Sequence, residues 1–225
     1  MKHALILASL ITLPFVALQA HGQASVTFNF SDGAADGWAN SGFSGTPAAT
    51  VTPIGGVNYM FLPVGGFQVG NFSSGDTSSA FFQAMLAAAA NPTGYDLSYN
   101  WSVDTSTWGA NSGTFLQMGT FVNTGSGYYA QNYGASQVQL SGAQVASGQV
   151  FSGTVTISFA AAGFTMPTDT FYRLGFIVNS DGSAPVGGYF TDISITPVPE
   201  PSSLALLGLA APAWWIMRIR RSVRS

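Results

Sequence analysis

From Tyr95 to Asp104 the chain alternates without a break. Tyr95, Leu97, Tyr99, Trp101 and Val103 fall on one side of an extended backbone. Asp96, Ser98, Asn100, Ser102 and Asp104 fall on the other. A period of two belongs to a half-buried strand and to no helix. Such a strand must lay its apolar side on a second layer, so the pattern asks for a sandwich or a barrel. Val26, Phe28 and Phe30 alternate in the same way, and the stretches 114–123, 150–159, 171–179 and 189–195 follow similar logic. Turn signals separate them: Ser112-Gly113, Gly125-Ser126-Gly127, Asp181-Gly182 and Gly187-Gly188. One segment departs from the rule. Ser78 to Pro92 carries an alanine run that favours helix, with Asn91-Pro92 to stop it. No repeat period is present. The expected fold is all-β, a two-sheet β-sandwich of jelly-roll type with one short helix across an end.

The rest of the chain is unlike this middle. Charged residues are only 7% of the 225, against about 25% in an ordinary soluble domain. The long apolar runs sit at the two ends. Lys2, the apolar stretch Ala4–Leu18 and the small residues around Gly22-Gln23-Ala24 have the pattern of a secretory signal peptide, read by signal peptidase. At the other end, Ser202 to Met217 holds no charge. As a helix it would span roughly 24 Å, short of a hydrocarbon core of about 30 Å. Trp214 and Trp215 suit the interface, and Arg218, Arg220, Arg221 and Arg224 can snorkel. The positive-inside rule puts the arginines in the cytoplasm and the sandwich outside. The organisation expected is signal peptide 1–24, sandwich domain 25–197 and tail 198–225, with the transmembrane helix at about 202–217 and the arginine cluster at 218–224.

Pro199-Glu200-Pro201, then an apolar run, then terminal arginines resembles the PEP-CTERM sorting signal of exported bacterial proteins. The resemblance implies that Pro199, Glu200, Pro201, Arg218, Arg220 and Arg221 form a sorting motif. It implies that the tail holds the protein transiently in the inner membrane until an exosortase removes it. It further implies a place in the cell envelope or extracellular matrix, with exopolysaccharide and biofilm. The opening "FNFSDGAADGW" and the closing "GGYFTDISI" resemble the first and last strands of carbohydrate-binding-module-type jelly rolls.

What the domain lacks narrows its chemistry. Residues 25–197 contain no His, Lys, Cys or Glu, and Arg173 is their sole basic residue. Eight aspartates against that arginine give a charge of −7, while the whole chain carries −3. A phosphate backbone needs a basic surface, so nucleic acid is not an expected partner. Triads built on His, and zinc sites of His or Cys, cannot be assembled. One enzymatic alternative survives, a polysaccharide-processing enzyme with paired aspartates. Asp96 and Asp104 do not supply the pair, since eight strand residues hold them roughly 26 Å apart. The expectation is therefore a structural or adhesive protein and not an enzyme. An outer-membrane barrel is the other alternative, but its strands would be longer than these.

Two kinds of site remain. Trp108, in "DTSTWGANSG", and Tyr128, Tyr129 and Tyr133, in "GSGYYAQNYG", lie among turn-forming polar residues. They are the candidates for stacking on polysaccharide. Asp32, Asp36 and Asp192 are the candidates for a structural calcium, a hard cation that takes oxygen ligands. No other cofactor is expected.

Overall fold

The computed structural model describes residues 23–40, 49–63, 68–74, 77–106, 115–180 and 187–199. These form two six-stranded antiparallel sheets. In the first, β10 (Val150–Ser158), β6 (Tyr95–Asp104), β12 (Gly187–Pro197), β4 (Val57–Pro63) and β3 (Thr50–Ile54) follow in order, and β1 (Val26–Phe28) pairs with β12. In the second, the order is β2 (Trp38–Asn40), β5 (Gln68–Ser74), β11 (Tyr172–Ser180), β7 (Phe115–Thr124) and β8 (Tyr129–Asn132). There β9 (Val138–Ser141) pairs with β7. The first and last strands thus meet, Val26 opposite Ile195 and Phe28 opposite Ile193. The two-sheet sandwich of the alternation pattern is the fold found.

The buried side of β6 explains why. Tyr95, Leu97, Tyr99 and Val103 are buried, and Trp101 is half-buried where β10, an edge strand, gives less cover. Phe176 of the second sheet packs between the layers. Its ring centroid lies 4.4 Å from that of Phe190, 4.9 Å from Tyr99 and 5.5 Å from Trp38. The Tyr99 hydroxyl donates to Gln137 Oε1 at 2.6 Å, and Gln137 Nε2 donates to Thr120 Oγ1 at 2.7 Å. A polar chain so crosses the core with its members satisfied, which burial requires.

The helix of the alanine run, α1 (Ala80–Ala90), begins where Ser79 accepts the Phe82 N–H and ends at Asn91. Phe81 reaches Phe28 in the first sheet and Phe82 reaches Tyr172 in the second. The helix therefore closes a gap between layers. A second, single-turn helix, α2 (Gly142–Val145), is capped by Ser141.

Two readings need correction. Gly187-Gly188 is not a turn but the start of β12, opposite Pro63 and Leu62. Glycine is required there by close approach. A Cβ at Gly187 would lie 1.8 Å from the Leu62 carbonyl oxygen, and one at Gly188 would lie 2.6 Å from the Met118 sulfur. The turn that alternation overlooked is Gly55-Gly56, with φ of 59° and 86°, which joins β3 to β4. Positive φ at both central residues suits a two-residue hairpin. The last strand also breaks its own period. Asp192 and Ile193 together face Tyr99, a bulge in which Asp192 takes φ of 50°. That extra residue puts Phe190, Ile193 and Ile195 all into the core.

At the other end of β11, the Tyr172 hydroxyl accepts the Asp169 N–H at 2.7 Å and donates to the Pro167 carbonyl at 3.3 Å. The Asp169 carboxylate accepts the N–H of Ser126 at 2.7 Å and of Thr170 at 2.6 Å. Hydrogen bonds from the Ser126 side chain and backbone hold its pKa well below the usual carboxylate range. A depressed pKa adds stability that is complete above the ordinary range and lost as pH falls through it. Urea midpoints of the native chain are therefore expected to fall more steeply below about pH 4 than those of Asp169→Asn. The variant should be the weaker protein at neutral pH. Parallel curves for the two would contradict this role.

Candidate functional site

The outer face of the second sheet collects side chains that the core does not use. On β7, Leu116, Met118 and Val122 point inward, so Gln117, Gly119, Phe121 and Asn123 point out. Register then sets rows across β11, β7 and the strands beyond. Arg173, Asn123 and Tyr129 form one; Gly175, Phe121 and Gln131 form the next. Ile177 lies beside Gly119, and Asn179, Gln117 and Gln139 make the last row.

Phe121 and Ile177 are 5% and 1% exposed, yet both stand apart from the core cluster. They form an apolar floor on the outside of the sheet. A Cβ on Gly175 would sit 1.8 Å from Phe121 Cε1, so the ring lies across a backbone that only glycine leaves bare. Tyr129 leans over Phe121 at 5.8 Å between centroids and is 54% exposed, while Tyr133 is 36% exposed. The Tyr129 hydroxyl donates to Gln131 Oε1 at 3.0 Å. Burial first, and then the neighbouring Tyr133, raise the Tyr129 pKa, so the phenol stays a neutral donor at physiological pH. The face therefore pairs two exposed phenol rings with carboxamides. These rows contain no carboxylate, and Arg173 is their one cation.

The sequence candidates are divided by this geometry. Tyr129 and Tyr133 share the face. Tyr128 does not: it packs on the margin of the core, and its hydroxyl meets the Gly163 carbonyl at 3.3 Å. Trp108 lies outside the described residues. No sequence motif marks Phe121, Gln117, Gln131 or Gln139. Strict alternation along 115–124 would have placed Phe121 opposite in facing to Val122, but only the Gly175 pairing shows the use of its ring.

Each of the three aspartates has a neighbour close by. Asp32 accepts the Ala34 N–H at 2.9 Å. Asp36 has its pKa raised by burial and then by the charge of Asp32. Asp192 Oδ2 accepts from Asn100 Nδ2 at 2.8 Å. Among the described residues no group of three or more His, Cys, Asp or Glu converges. Of the sorting residues, Pro199 is described and exposed, while Glu200, Pro201, Arg218, Arg220 and Arg221 lie outside. The signal-peptide stretch 1–22 and the apolar run 202–217 lie outside as well. Among the described residues no helix is long and apolar enough to cross a membrane.

The fold defines an all-β sandwich domain with a C-terminal extension. That extension is identified by residues 197–221, which match the PEP-CTERM protein-sorting motif. The chain is thus an exported protein with a C-terminal sorting tail. Solved structures similar in fold include carbohydrate-binding modules. A non-crystalline-cellulose-specific module, CBM28, is 12% identical over 74% of this chain and 91% of its own, with a TM-score of 0.47. The CBM22-1 xylan-binding domain of Paenibacillus barcinonensis Xyn10C is 11% identical over 78% and 94%, with a TM-score of 0.43. A xylan-binding module, CBM15, is 12% identical over 80% and 99%, with a TM-score of 0.42. No curated protein sequence matches the chain.

Proposed function

We propose that the sandwich is a non-catalytic module that binds neutral polysaccharide on the outer face of its second sheet, in the cell envelope or matrix to which the sorting tail delivers it. The observation that carries this reading is the exposed Tyr129 ring over the buried Phe121–Ile177 floor, bordered by Tyr133 and carboxamides. Aromatic faces offer apolar area at fixed orientation, and amides match hydroxyl groups in both hydrogen-bonding senses. A domain charge of −7 disfavours polyanions. The rows hold no pair of facing carboxylates of the kind a glycosidase uses, which supports binding as the reading of this face.

The test uses the full chain in detergent and its retention on immobilised xylan and hydroxyethyl cellulose, with alginate as the charged contrast. Tyr129→Ala should weaken retention on a neutral polymer about tenfold or more, as loss of an interfacial aromatic anchor does. Its melting temperature should be nearly unchanged, because an exposed ring supports little of the core. Equal retention of variant and native chain, or preference of the native chain for alginate, would overturn the assignment. Release of reducing sugar would replace it with an enzyme.

A further inference from the structure

The outer face of the first sheet bears a second aromatic group. On β4, Met60 and Leu62 are buried in the core, so Tyr59 and Phe61 face outward. Tyr189 of β12 lies directly opposite Phe61, and Ser102 of β6 lies beyond Tyr189. The Tyr189 ring is 4.9 Å from Phe61 and 6.4 Å from Tyr59, centroid to centroid. All three rings are half-buried and none belongs to the core cluster. Phe61 lies over Gly187, where a Cβ would come within 2.8 Å of its Cε2.

Beside the rings runs a line of polar groups. Thr154 Oγ1 donates to Asn100 Oδ1 at 2.7 Å, and Asn100 Nδ2 donates to Asp192 Oδ2 at 2.8 Å. The three come from adjacent strands, β10, β6 and β12. Asp192 reaches this face because of the bulge, at a φ of 50° that L-residues seldom adopt. Bulges commonly re-aim a side chain beside a functional site. Its exposed carboxylate keeps acceptor capacity beyond the bond to Asn100.

We propose that this face is a second binding site for neutral polysaccharide, so that one molecule holds two polymer chains on opposite sides of its sandwich. The bridging role rests on the Tyr129 face being the first site; the second site itself does not. Charge and size point to this occupant. No described residue of the face is basic, and Asp96, Asp104 and Asp192 make it acidic, so an anionic polymer is repelled. A protein partner would need about 800 Å² of matching surface. The apolar part here is three rings wide, framed by Ser98, Ser102, Thr154 and Asn100, which suits a ligand of apolar ring faces edged with hydroxyls. Packed sheets point their outer faces in opposite directions, so the two sites cannot serve one straight polymer strand.

The test is a two-layer capture with the full chain in detergent. Protein is bound to immobilised xylan, washed, and offered fluorescein-labelled xylan. The native chain should capture label. Tyr59→Ala/Tyr189→Ala should still bind the first layer within a few-fold and Tyr129→Ala about tenfold less, and each, compared at equal bound protein, should capture at least tenfold less label than the native chain. Asp192→Asn, which suits positive φ and removes no ring, should reduce captured label in the same direction. Mass by light scattering, together with the melt, accompanies each chain.

Undiminished capture by Tyr59→Ala/Tyr189→Ala would overturn the second site. So would a native chain that binds the first layer but captures nothing. If Tyr129→Ala alone abolishes all binding, the second site fails while the first stands. If only the first-sheet variants abolish binding, the second site stands and the Tyr129 assignment fails. A native dimer that the first-sheet variants turn into monomers would mean that another copy covers the face, and the proposal would be wrong. No binding to either polymer by the native chain would remove both sites.

Discussion

Replacing Glu200 with Ala, or Pro201 with Ala, is expected to leave the protein exported but held at the inner membrane with Ser225 still attached. The argument begins at the sheet. Pro197 is still paired with Tyr95, and the Val198 N–H still donates to the Gly94 carbonyl at 2.9 Å. The matched motif begins at residue 197, so it starts on the last rung of the folded domain. Prolines at 197, 199 and 201 disfavour helix in the residues before them, which favours an extended presentation of Glu200 to a processing enzyme. Changing Glu200 or Pro201 is expected to remove that recognition and leave the apolar run intact. Neutralising Arg218, Arg220 and Arg221 acts on another step. It takes away the positive charge that, by the positive-inside rule, would stop transfer on the cytoplasmic side, and the chain should pass through unretained. Deleting residues 198–225 should release the domain outside the inner membrane. Fractionation with an antibody to the domain, with mass spectrometry of the C-terminus, separates these outcomes. A native protein that keeps Ser225 in every fraction, in cells that possess the processing enzyme, would show the tail to be a permanent anchor.

Phe176→Ala should have the largest effect on stability. Its ring contacts Trp38, Tyr99 and Phe190, and it is fully buried. Truncating a buried Phe costs about 3–5 kcal/mol, from lost transfer energy and the cavity left behind. Whole domains hold roughly 5–15 kcal/mol, so the loss takes a large share. For a domain of this size the melting temperature should fall by roughly 6–20 °C. Near-ultraviolet circular dichroism reports it, since the affected rings are packed asymmetrically. Tyr129→Ala deletes a ring of similar size from the outer face and should leave the melt almost untouched. A shift for Phe176→Ala within a degree or two of that for Tyr129→Ala would show the sheets to be packed elsewhere.

Much of the architecture is legible because one face of each long strand must be dry. Alternation in 95–104 identifies β6 and its inward residues, and the alanine run bounded by Ser79 and Asn91 identifies α1. The short strands β2, β8 and β9 have too few residues to show a period, and β5 is interrupted by glycine. The Gly55-Gly56 pair is a local turn signal, and it marks the β3–β4 hairpin. Strict alternation also misplaces part of β12. It would set Phe190 on the face opposite Ile193, and the bulge at Asp192 brings them together.

The sandwich class follows from the sequence by itself, because side-chain period is a property of the backbone and each apolar face must find cover. So do the polarity of the domain, its lack of His, Lys, Cys and Glu between 25 and 197, and the sorting tail, which are read linearly. Which aromatics face solvent was decided by tertiary structure. Tyr128 and Tyr129 are neighbours in sequence, yet Tyr128, just before β8, packs on the margin of the core and Tyr129 stands on the surface, since successive extended residues point to opposite sides. Phe121 lies across bare backbone on the outer face because Gly175 is its neighbour on β11. Tyr59, Phe61 and Tyr189 become a group through the pairing of β4 with β12, strands separated by more than a hundred residues. Register between distant strands is set by the packing of the whole molecule, and no local pattern encodes it.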